Sequence, residues 1–456
     1  MLGRNPSEPS LFQMVEVESL VPPDHQLRKI DAVLDLSFVP DAVAQCYSAG
    51  RGRPSIDPEL AIRMMLLGVL YDLGDRELCD EIRMHAGMRW FCRLNFHDSV
   101  PDHSTLSRLR NERWAESGLF DRLMDEVIRQ CCEAGLVSGR HLSVDGTEVR
   151  ADASMKSLKR RGPQPPDDAS SPAPPADGAK EPKPAGEWKG RGERYKNETH
   201  FSTTDPDARL YRKGEHRESR LSYLAHDLID TKSRVILRRK ASLATGTAER
   251  DLGLEMLDEV LDAAEDLGLP QRPEILSADA SYGASEFLSG VIERDLLPHI
   301  PLLAREAMEE LPTWKRRTFN LERKRARERK VKETTARNRA RELQTTRGYQ
   351  VSRKLRIRSE HVFAEGKNQH GLRRARRRGK ERVELQFTLT AVVQNLKRLV
   401  SFMGRRPRGA AAAAGEALVA PSACLRFAHI PRIPHIFRSG MTRGGWALLP
   451  LGPSTP

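Results

Sequence analysis

The segment RHLSVDGTEVRA, residues 140–151, marks the point where the chain changes from helical to extended periodicity. Its polar residues, Asp145 among them, alternate with the apolar Leu142 and Val144, and a period of two residues predicts a β-strand. The residues before it have helical patterns, whereas those after it alternate between strand and helix patterns. We therefore predict an α/β fold that is preceded by an all-helical N-terminal domain.

The N-terminal region contains clear signals for helix ends. Asp57 followed by Pro58 is a typical N-cap and first helical residue. The apolar stretch behind them predicts a core helix that ends at Gly74. Further along, Ser104 is a candidate N-cap and Gly135 a candidate helix stop.

The region after residue 151 mixes strand and helix patterns. LSYLAHDLID (221–230) and RVILRRKASL (234–243) predict a hairpin. Residues 249–268 have the period of an amphipathic helix, and the short apolar EIL at 274–276 predicts a strand that leads into a turn and a helix. The apolar segment 384–404 predicts a closing helix.

Two segments lack the composition of a packed core. Residues 162–187 hold eight Pro among Gly, Ala, Ser and Asp, which predicts a disordered insert near 156–196. Residues 401–456 become rich in Ala, Pro and Gly and predict a disordered tail. The chain would then consist of a helical domain, 1–137, and an α/β domain, 138–400.

The charge of the 456-residue chain is unevenly distributed. The formal net charge is +13, but residues 315–382 hold 26 Lys/Arg against 7 Glu and no Asp, a net of +19 that leaves −6 elsewhere. A concentrated basic block predicts a polyanionic partner. No run approaches the ~18 apolar residues of a membrane span, so no membrane role is expected. Six scattered Cys without a C-x-x-C pair fit a reducing cytoplasm.

Three acidic residues stand out by their positions. Asp145 lies in the strand, Asp279 just past the EIL strand, and Glu360 on an expected helix inside the basic block. Clustered carboxylates without Cys or His suit Mg²⁺ or Mn²⁺, and two such ions ~3.5–4 Å apart support phosphoryl transfer. Each residue alone is more simply explained as a turn residue or an ion-pair partner.

The surroundings of Glu360 leave two interpretations open. On a continuous helix, Arg353, Arg356, Glu360 and Lys367 fall within about 60° of one another. This stripe fits a metal-binding Glu flanked by phosphate-holding cations. It fits equally well a surface helix stabilised by i, i+4 ion pairs.

Other basic residues are weaker candidates for contacts with a polyanion. Arg108 and Arg110 in the segment 101–112 would suit such contacts, although outward-facing Arg is common on helices, and His103 is more simply a loop residue. The run RRARRRGKER (373–382) predicts nonspecific phosphate binding rather than a solvated face, because the rest of the chain is acidic. The cations concerned are Arg373, Arg374, Arg376, Arg377 and Arg378.

Several motifs occur together in a characteristic order. They are RPSIDP (53–58), VPDHSTLSRLR (100–110), VDGTEVRA (144–151), TDPDAR (204–209), ATGTAERD (244–251), ADASYG (278–283) and R-x3-E-x6-K (356–367). In this combination the chain resembles bacterial insertion-sequence transposases of the DDE type over roughly residues 10–400. The order of the motifs is specific, whereas any one of them is weak.

The resemblance implies a ribonuclease H-like mixed sheet flanked by helices. It implies that Asp145, Asp279 and Glu360 are catalytic and hold two Mg²⁺ ions, with Mn²⁺ as a substitute. Arg356 and Lys367 match phosphate-binding positions of the family.

Two positions depart from the family pattern. Arg353 stands where the family has a Tyr that is thought to touch the DNA backbone, and we expect this Arg to hold phosphate. Ser281 stands where relatives usually have Gly, and a positive φ at that position would strain it.

The implied activity is metal-dependent DNA cleavage at element ends, followed by joining of the 3′ hydroxyl to target DNA. The implied partners are the terminal repeats, the target DNA and a second copy of the chain, because two ends react in one synaptic complex. A catalytically inactive or domesticated transposase that only binds DNA is the alternative, and a ribonuclease H-type or repair nuclease a third. Metal-dependent strand cleavage would separate the first two.

Overall fold

A computed structural model describes residues 15–48, 55–161, 195–212, 214, 218–245, 248–302, 308–314 and 320–405. The Pro-rich stretch 162–187 lies outside the described residues, as does the tail from residue 406 onward. The expected disorder of both segments therefore stays a prediction. Residues 158–160, inside the range assigned to the insert, form a short strand.

The described part of the N-terminal region is helical. Its α-helices are α1 (Gln26–Asp31), α2 (Val39–Val43), α3 (Pro58–Leu70), α4 (Asp75–Met84), α5 (Ala86–Phe91), α6 (His103–Arg108) and α7 (Leu119–Glu133). Short 3-10 segments span Val17–Leu20 and Ala44–Cys46, and a π-helical turn spans Leu109–Arg113.

The helix ends show which capping predictions hold. Asp57 caps α3 by accepting a hydrogen bond from the Glu59 N–H at 2.8 Å. Gly135, just past α7, has a φ of 75°, which is the left-handed conformation of a helix stop. The N-cap expected at Ser104 was wrong, because the Asp102 carboxylate accepts from the Ser104 N–H and caps α6 two residues earlier.

A mixed six-stranded sheet follows the N-terminal helices. Its strands are β1 (His141–Arg150), β4 (Arg209–Tyr211), β5 (Arg220–Asp230), β6 (Ile236–Leu243), β7 (Ile275–Ser277) and β8 (Leu297–His299), and a separate pair is formed by β2 (Leu158–Arg160) and β3 (His200–Ser202). The order is β4-β5-β1-β7-β8, and β6 also pairs with β5. β1, β7 and β8 are parallel, whereas β5 is antiparallel to β1, β4 and β6.

Helices cover the sheet and continue beyond it. They are α8 (Ala248–Asp262), α9 (Ser285–Glu293), α10 (Leu321–Gln344), α11 (Arg347–Leu355), α12 (Ile357–Gln369) and α13 (Lys380–Met403). Two further 3-10 turns span Met155–Ser157 and Ala280–Tyr282. The expected hairpin corresponds to β5 and β6. No helix among the described residues is both long and apolar enough to span a membrane.

The N-terminal helices and the sheet share one hydrophobic core. A single buried cluster runs from Leu27 in α1 through Trp114 to Val144 in β1 and Leu396 in α13. Trp114 is fully buried, as expected for a core residue, and its indole N–H donates to the Tyr47 hydroxyl at 3.1 Å. The mixed α/β architecture is thus established.

The TDPDAR motif anchors the start of α13. The buried Asp205 carboxylate accepts from the Tyr223 hydroxyl at 2.7 Å and from the Gly379 N–H at 3.1 Å. Asp207 accepts from the Lys380 N–H, the first residue of α13, at 3.0 Å. Two carboxylates from a distant segment therefore satisfy amide groups that a helix start leaves without partners.

Candidate active site

Asp145 and Asp279 lie at the carboxyl ends of two neighbouring parallel strands. β1 pairs with β7 in parallel, with Ser143 opposite Ser277. Asp145 and Asp279 each follow that pair by two residues. The sheet therefore brings together two carboxylates that are 134 residues apart in sequence.

Burial and the neighbouring carboxylates raise the pKa of Asp145. The pKa of Asp145 is raised to about 7, mainly by burial and also by the negative charges of Asp279 and Asp227, while the Gly146 N–H and the Arg356 charge oppose the rise. The Gly146 N–H donates to the Asp145 carboxylate at 2.9 Å. Without a bound cation, this carboxyl group therefore holds its proton to a higher pH than an ordinary aspartate does.

Gly146 is required by the close approach of β5. A Cβ atom at this position would lie 3.0 Å from Nδ1 of His226, its partner across the strand pair. His226 is fully buried, its Nε2 is 2.7 Å from the Ser242 hydroxyl, and burial lowers its pKa to about 4. His226 is thus a neutral residue of the sheet interior, as the ordinary interpretation of a strand His predicts.

A buried ion pair stands beside Asp145. Asp227 is opposite Asp145 in the antiparallel pairing of β1 with β5. Its carboxylate accepts two hydrogen bonds of 2.5 Å from Nε and Nη2 of Arg239, and both side chains are at most 1% exposed. Asp145, Asp227 and Arg239 therefore lie side by side across this face of the sheet, on β1, β5 and β6.

Helix α12 lies along the face of β1 that carries Asp145. The Ser359 hydroxyl donates to the Ser143 hydroxyl at 3.1 Å, and Lys367 Nζ donates to the Thr147 hydroxyl at 2.8 Å. The eight helical residues between these contacts span about 12 Å, and the four strand residues span about 13 Å. Helix and strand therefore run side by side, with Asp145 midway between the two contacts.

The helix expected through Arg353 and Lys367 is divided at Arg356 into α11 and α12. Arg356 keeps right-handed helical angles, with φ −55° and ψ −30°, but the Ser359 N–H bonds to its carbonyl in a tighter turn, and Arg353 belongs to α11 and is exposed. Arg356, at the junction, is close enough to Asp145 for its charge to lower the pKa of that carboxyl group. Arg356 and Lys367 thus approach β1 from the two ends of α12.

Glu360 and Glu365 have different surroundings within α12. Glu360 is exposed. It points from the helix axis in nearly the same direction as Lys367, about 20° away in the helical wheel, and it lies about 10 Å closer to the N-terminus of α12. Glu365 accepts from Lys397 at 2.8 Å and from Arg398 at 2.9 Å. Burial would raise the pKa of Glu365, but these cations and the His370 hydrogen bond lower it well below its ordinary value.

A chain of buried hydrogen bonds connects the Asp227–Arg239 pair to α12. Arg239 Nη1 donates to the Gln394 side-chain oxygen at 2.9 Å, and the Gln394 amide nitrogen donates to the Val362 carbonyl at 2.8 Å. Arg239 also lies over the Phe363 ring, 5.8 Å from its centre. The ion pair next to Asp145 therefore holds the helix that carries Glu360.

The turn after Asp279 adopts a different conformation from the one expected. Ser281 lies in a 3-10 turn and is absent from the positive-φ residues of the described chain, so the strain expected there does not occur. Its N–H donates to Oδ1 of Asp279 at 2.9 Å, and its hydroxyl donates to the same oxygen. Ser281 therefore occupies one carboxylate oxygen of Asp279 with two hydrogen bonds.

The donor set suits a hard divalent cation. Asp145 and Asp279 supply oxygen ligands, and the pKa of Asp145 is raised mainly because burial disfavours its charged form, which a bound cation would stabilise. Within the described ranges, no three acidic, His or Cys side chains are already arranged around one point as metal ligands. Glu360 would have to turn from solvent toward the strand ends to complete such a site.

The arginine run after α12 is largely engaged with the protein itself. Arg374 and Arg378 pair with Asp152, at 2.6 and 3.3 Å. Arg376 pairs with Asp72 at the end of α3 at 2.5 Å, and Arg373 donates to Asn368. Arg377 has no such partner among the described residues.

The two N-terminal arginines predicted as candidates for DNA contact have different surroundings. Arg110 is 2% exposed and pairs with Asp75 at 2.6 Å, so it is part of the helical core. Arg108 is exposed. His103 lies 3.2 Å from Asp102, the cap of its own helix.

Sequence reasoning missed Asp227, Arg239 and Gln394. The available signal was Asp227 inside the largely apolar LSYLAHDLID, whereas RVILRRKASL holds four basic residues and nothing local distinguishes Arg239 among them. Buried charges of this kind are paired in folded proteins. The pairing itself required the register of β5 and β6, which no local pattern supplies.

Comparison with known families gives two matches. Residues 15–112 match the family described as Transposase domain (DUF772), and residues 315–400 match the family described as Transposase DDE domain. The second match includes Glu360 and Lys367. No solved structure matches the chain. The chain therefore matches a transposase domain at each of these two places, consistent with the insertion-sequence DDE transposases that its motifs resemble.

Proposed function

We propose that this transposase cleaves DNA at the ends of an insertion sequence and joins the freed 3′ hydroxyl to target DNA, using a ribonuclease H-like core. The observation that carries the proposal is the placement of Asp145 and Asp279 at the ends of adjacent parallel strands, beneath the helix that bears Glu360. Acidic residues at this edge of a sheet are accessible to a DNA strand that lies across it.

In this proposal Asp145, Asp279 and Glu360 hold two Mg²⁺ ions, for which Mn²⁺ can substitute. When bound, such ions activate the attacking oxygen and stabilise the leaving oxygen of a phosphodiester. The protein contributes the fixed spacing of the two strand-end carboxylates. It also contributes Glu360 from a helix whose position on β1 is set by contacts at Ser143 and Thr147.

The cations around α12 would hold the reacting strand. Arg356 and Lys367 approach the Asp145 face of β1 from opposite ends of the helix, and guanidinium and ammonium groups bind phosphate oxygens strongly. Arg353 in α11 is exposed and would contact the backbone farther from the carboxylates. We expect these three residues to affect the cleavage rate more than the overall DNA affinity.

Helix α10 adds a further basic surface. Its first ten residues, 321–330, include six Lys/Arg and two Glu, and all but Arg327 are exposed. Arg323, Arg327 and Lys330 fall within about 60° of one another, and Arg327 lies 5.1 Å from the centre of the Trp314 ring. Like charges one turn apart repel, and a DNA backbone would relieve that repulsion.

The remaining aspects of the proposal follow from the reaction. The protein would act in the cytoplasm, where bacterial DNA lies, on terminal repeats and a target duplex. Two element ends react together, so a homodimer is expected in the synaptic complex.

The decisive experiment combines three substitutions with a matched control. Asp145→Asn, Asp279→Asn and Glu360→Gln should each abolish Mg²⁺-dependent cleavage and joining of a duplex that carries the element's own flanking DNA. Glu365→Gln is the control for position on α12, and it should retain cleavage chemistry while losing stability through its ion pairs with Lys397 and Arg398. Cleavage at the unchanged rate by any of the three variants would refute that residue's role.

A further inference from the structure

A basic cleft lies between the N-terminal helices and the loop that follows α12. Its volume is about 690 Å³, and it extends from the turn joining α3 to α4 as far as Lys367. Six cations line it against four carboxylates, a net of two positive charges. The cations are Arg110, Lys367, Arg373, Arg374, Arg376 and Arg377.

Three of these cations are neutralised within the protein. Arg110 pairs with Asp75 at 2.6 Å, Arg374 with Asp152 at 2.6 Å, and Arg376 with Asp72 at 2.5 Å. These ion pairs fix the shape of the cleft, because each connects a cation that lines it to a residue of another element or loop. They leave little free charge of their own for a ligand.

Arg377 differs from these residues. Its Nη1 atom is buried and has no hydrogen-bond partner, and no carboxylate within the described part of the chain forms an ion pair with it. Burial lowers the pKa of Arg377 to about 9, and the charges of Arg110 and Arg376 add to that effect, while Asp75 opposes it. The guanidinium therefore remains charged at neutral pH, its Nη1 atom is out of contact with solvent although the residue as a whole is partly exposed, and most of the charges near it are positive.

An arrangement of this kind destabilises the protein on its own. A charge withdrawn even partly from water destabilises the folded state unless a partner compensates it. The single carboxylate nearby, Asp75, is already engaged by Arg110. The missing partner is an anion that enters from the cleft, and the planar fork of a guanidinium matches the oxygens of a phosphate group.

We propose that Arg377 is the centre of a phosphate site that takes one phosphodiester group of the DNA on which the enzyme acts. The inference rests on the proposed function, because the cleft also contains Lys367, whose Nζ reaches Thr147 on the Asp145 face of β1. A DNA strand bound at Arg377 and Lys367 would lie between the N-terminal helices and the carboxylates. Arg377 would thus set where the strand enters the active site.

The test compares Arg377→Met with Arg83→Met, which removes an exposed arginine of α4 that pairs only with its neighbour Asp80. Binding of a 30-base-pair duplex is measured by fluorescence anisotropy in EDTA over a range of salt concentrations. Arg377→Met should lower the slope of log K against log salt by about 0.9, the value for one lost phosphate contact. Arg83→Met should leave the slope unchanged.

Stability measurements separate a ligand site from a structural role. Without ligand, Arg377→Met should unfold at the same temperature as the unsubstituted protein or higher, because an uncompensated buried charge has been removed. Inorganic phosphate, compared with chloride at equal ionic strength, should raise the unfolding temperature of the unsubstituted protein but not of Arg377→Met. Arg377→Gln should show the same decrease in the slope of log K against log salt. It replaces Arg377→Met in these measurements if that variant does not fold.

Two outcomes would overturn the proposal. Lower stability of both Arg377 variants with an unchanged salt slope would make Arg377 a structural residue. A lost phosphate effect with unchanged duplex binding would assign the site to a free phosphate compound and not to DNA. Because no metal and no cleavage enter these measurements, they are independent of the outcome for Asp145→Asn.

Discussion

Asp145 and Asp227 face each other across the antiparallel pairing of β1 with β5, and Asp227 forms an ion pair with Arg239, whereas Asp145 forms none with any residue that the structure describes. Directly opposed residues of this kind have Cβ atoms about 4.5–5.5 Å apart. Arg239 therefore holds one carboxylate in place as a buried ion pair and leaves the other charge for a cation. The same arginine reaches α12 through Gln394.

The first prediction concerns Arg239. Arg239→Met should lower the free energy of unfolding by about 3–5 kcal/mol, because it leaves Asp227 buried and unpaired. Asp227→Leu combined with Arg239→Met should recover most of that loss, since no charge remains, yet cleavage should stay impaired because α12 has lost its link through Gln394. Urea unfolding and single-turnover cleavage measure the two effects. Full cleavage activity in the double variant would show that the pair does not position α12.

The second prediction is a pH dependence of metal binding. The pKa of Asp145 is raised from 3.8 to about 7, so a cation must displace a proton below that pH. Between pH 5.5 and 7, the logarithm of the Mn²⁺ affinity should rise by up to about one for each pH unit, and it should level off above. Isothermal calorimetry in two buffers of different ionisation enthalpy would detect the released proton. Affinity that is constant from pH 5.5 to 7 would contradict the assignment.

The same shift predicts how the stability of the metal-free protein depends on pH. Because the folded state holds the Asp145 proton more tightly than the unfolded state, the free energy of unfolding should fall as the pH rises from about 4 to about 7 and then become constant with respect to this group. Asp145→Asn should remove this contribution. A variant that retains the full slope would place the proton on another residue.

The third prediction concerns Ser281. Its hydroxyl and N–H both donate to Oδ1 of Asp279, and the hydroxyl competes with a cation for that oxygen. Ser281→Ala should therefore increase Mn²⁺ affinity several-fold, while Ser281→Thr, which keeps the hydroxyl, should not. Neither variant should be strained, because Ser281 has no positive φ. Equal affinities for all three proteins would show that the hydroxyl turns away when a cation binds.

The fourth prediction tests the anchoring of α13. Asp205→Ala leaves the Tyr223 hydroxyl and the Gly379 N–H without their partner, and each unsatisfied buried group costs about 1–3 kcal/mol. Asp207→Ala removes a cap from the Lys380 N–H and should cost about 0.5–2 kcal/mol. Urea unfolding of both, with the exposed Asp266→Ala as control, should give that order. A loss from Asp207→Ala greater than that from Asp205→Ala would contradict it.

Local sequence determined many of the secondary-structure elements and the positions of Asp145 and Asp279 relative to them. The alternation in 140–151 predicted β1, the Asp57–Pro58 pair predicted the start of α3, and Gly135 predicted a helix stop. These features depend on residues within a few positions of one another. Asp145 and Asp279 were recognised because each sits at a strand pattern, and parallel neighbours place their carboxyl ends at one edge.

Only the tertiary structure decided which charged residues are buried and which of them form ion pairs. The basic run at 373–378 looked like one exposed patch, yet Arg374 and Arg376 are paired with Asp152 and Asp72, which lie more than 200 residues away in sequence. Arg377, in the same run, has a buried Nη1 atom without a hydrogen-bond partner in the described part of the chain. A sequence gives the number of charges, but burial and partners depend on which distant segments pack together. The packing of distant segments, and not the composition, therefore determines whether an arginine forms an ion pair within the fold or remains available to a ligand.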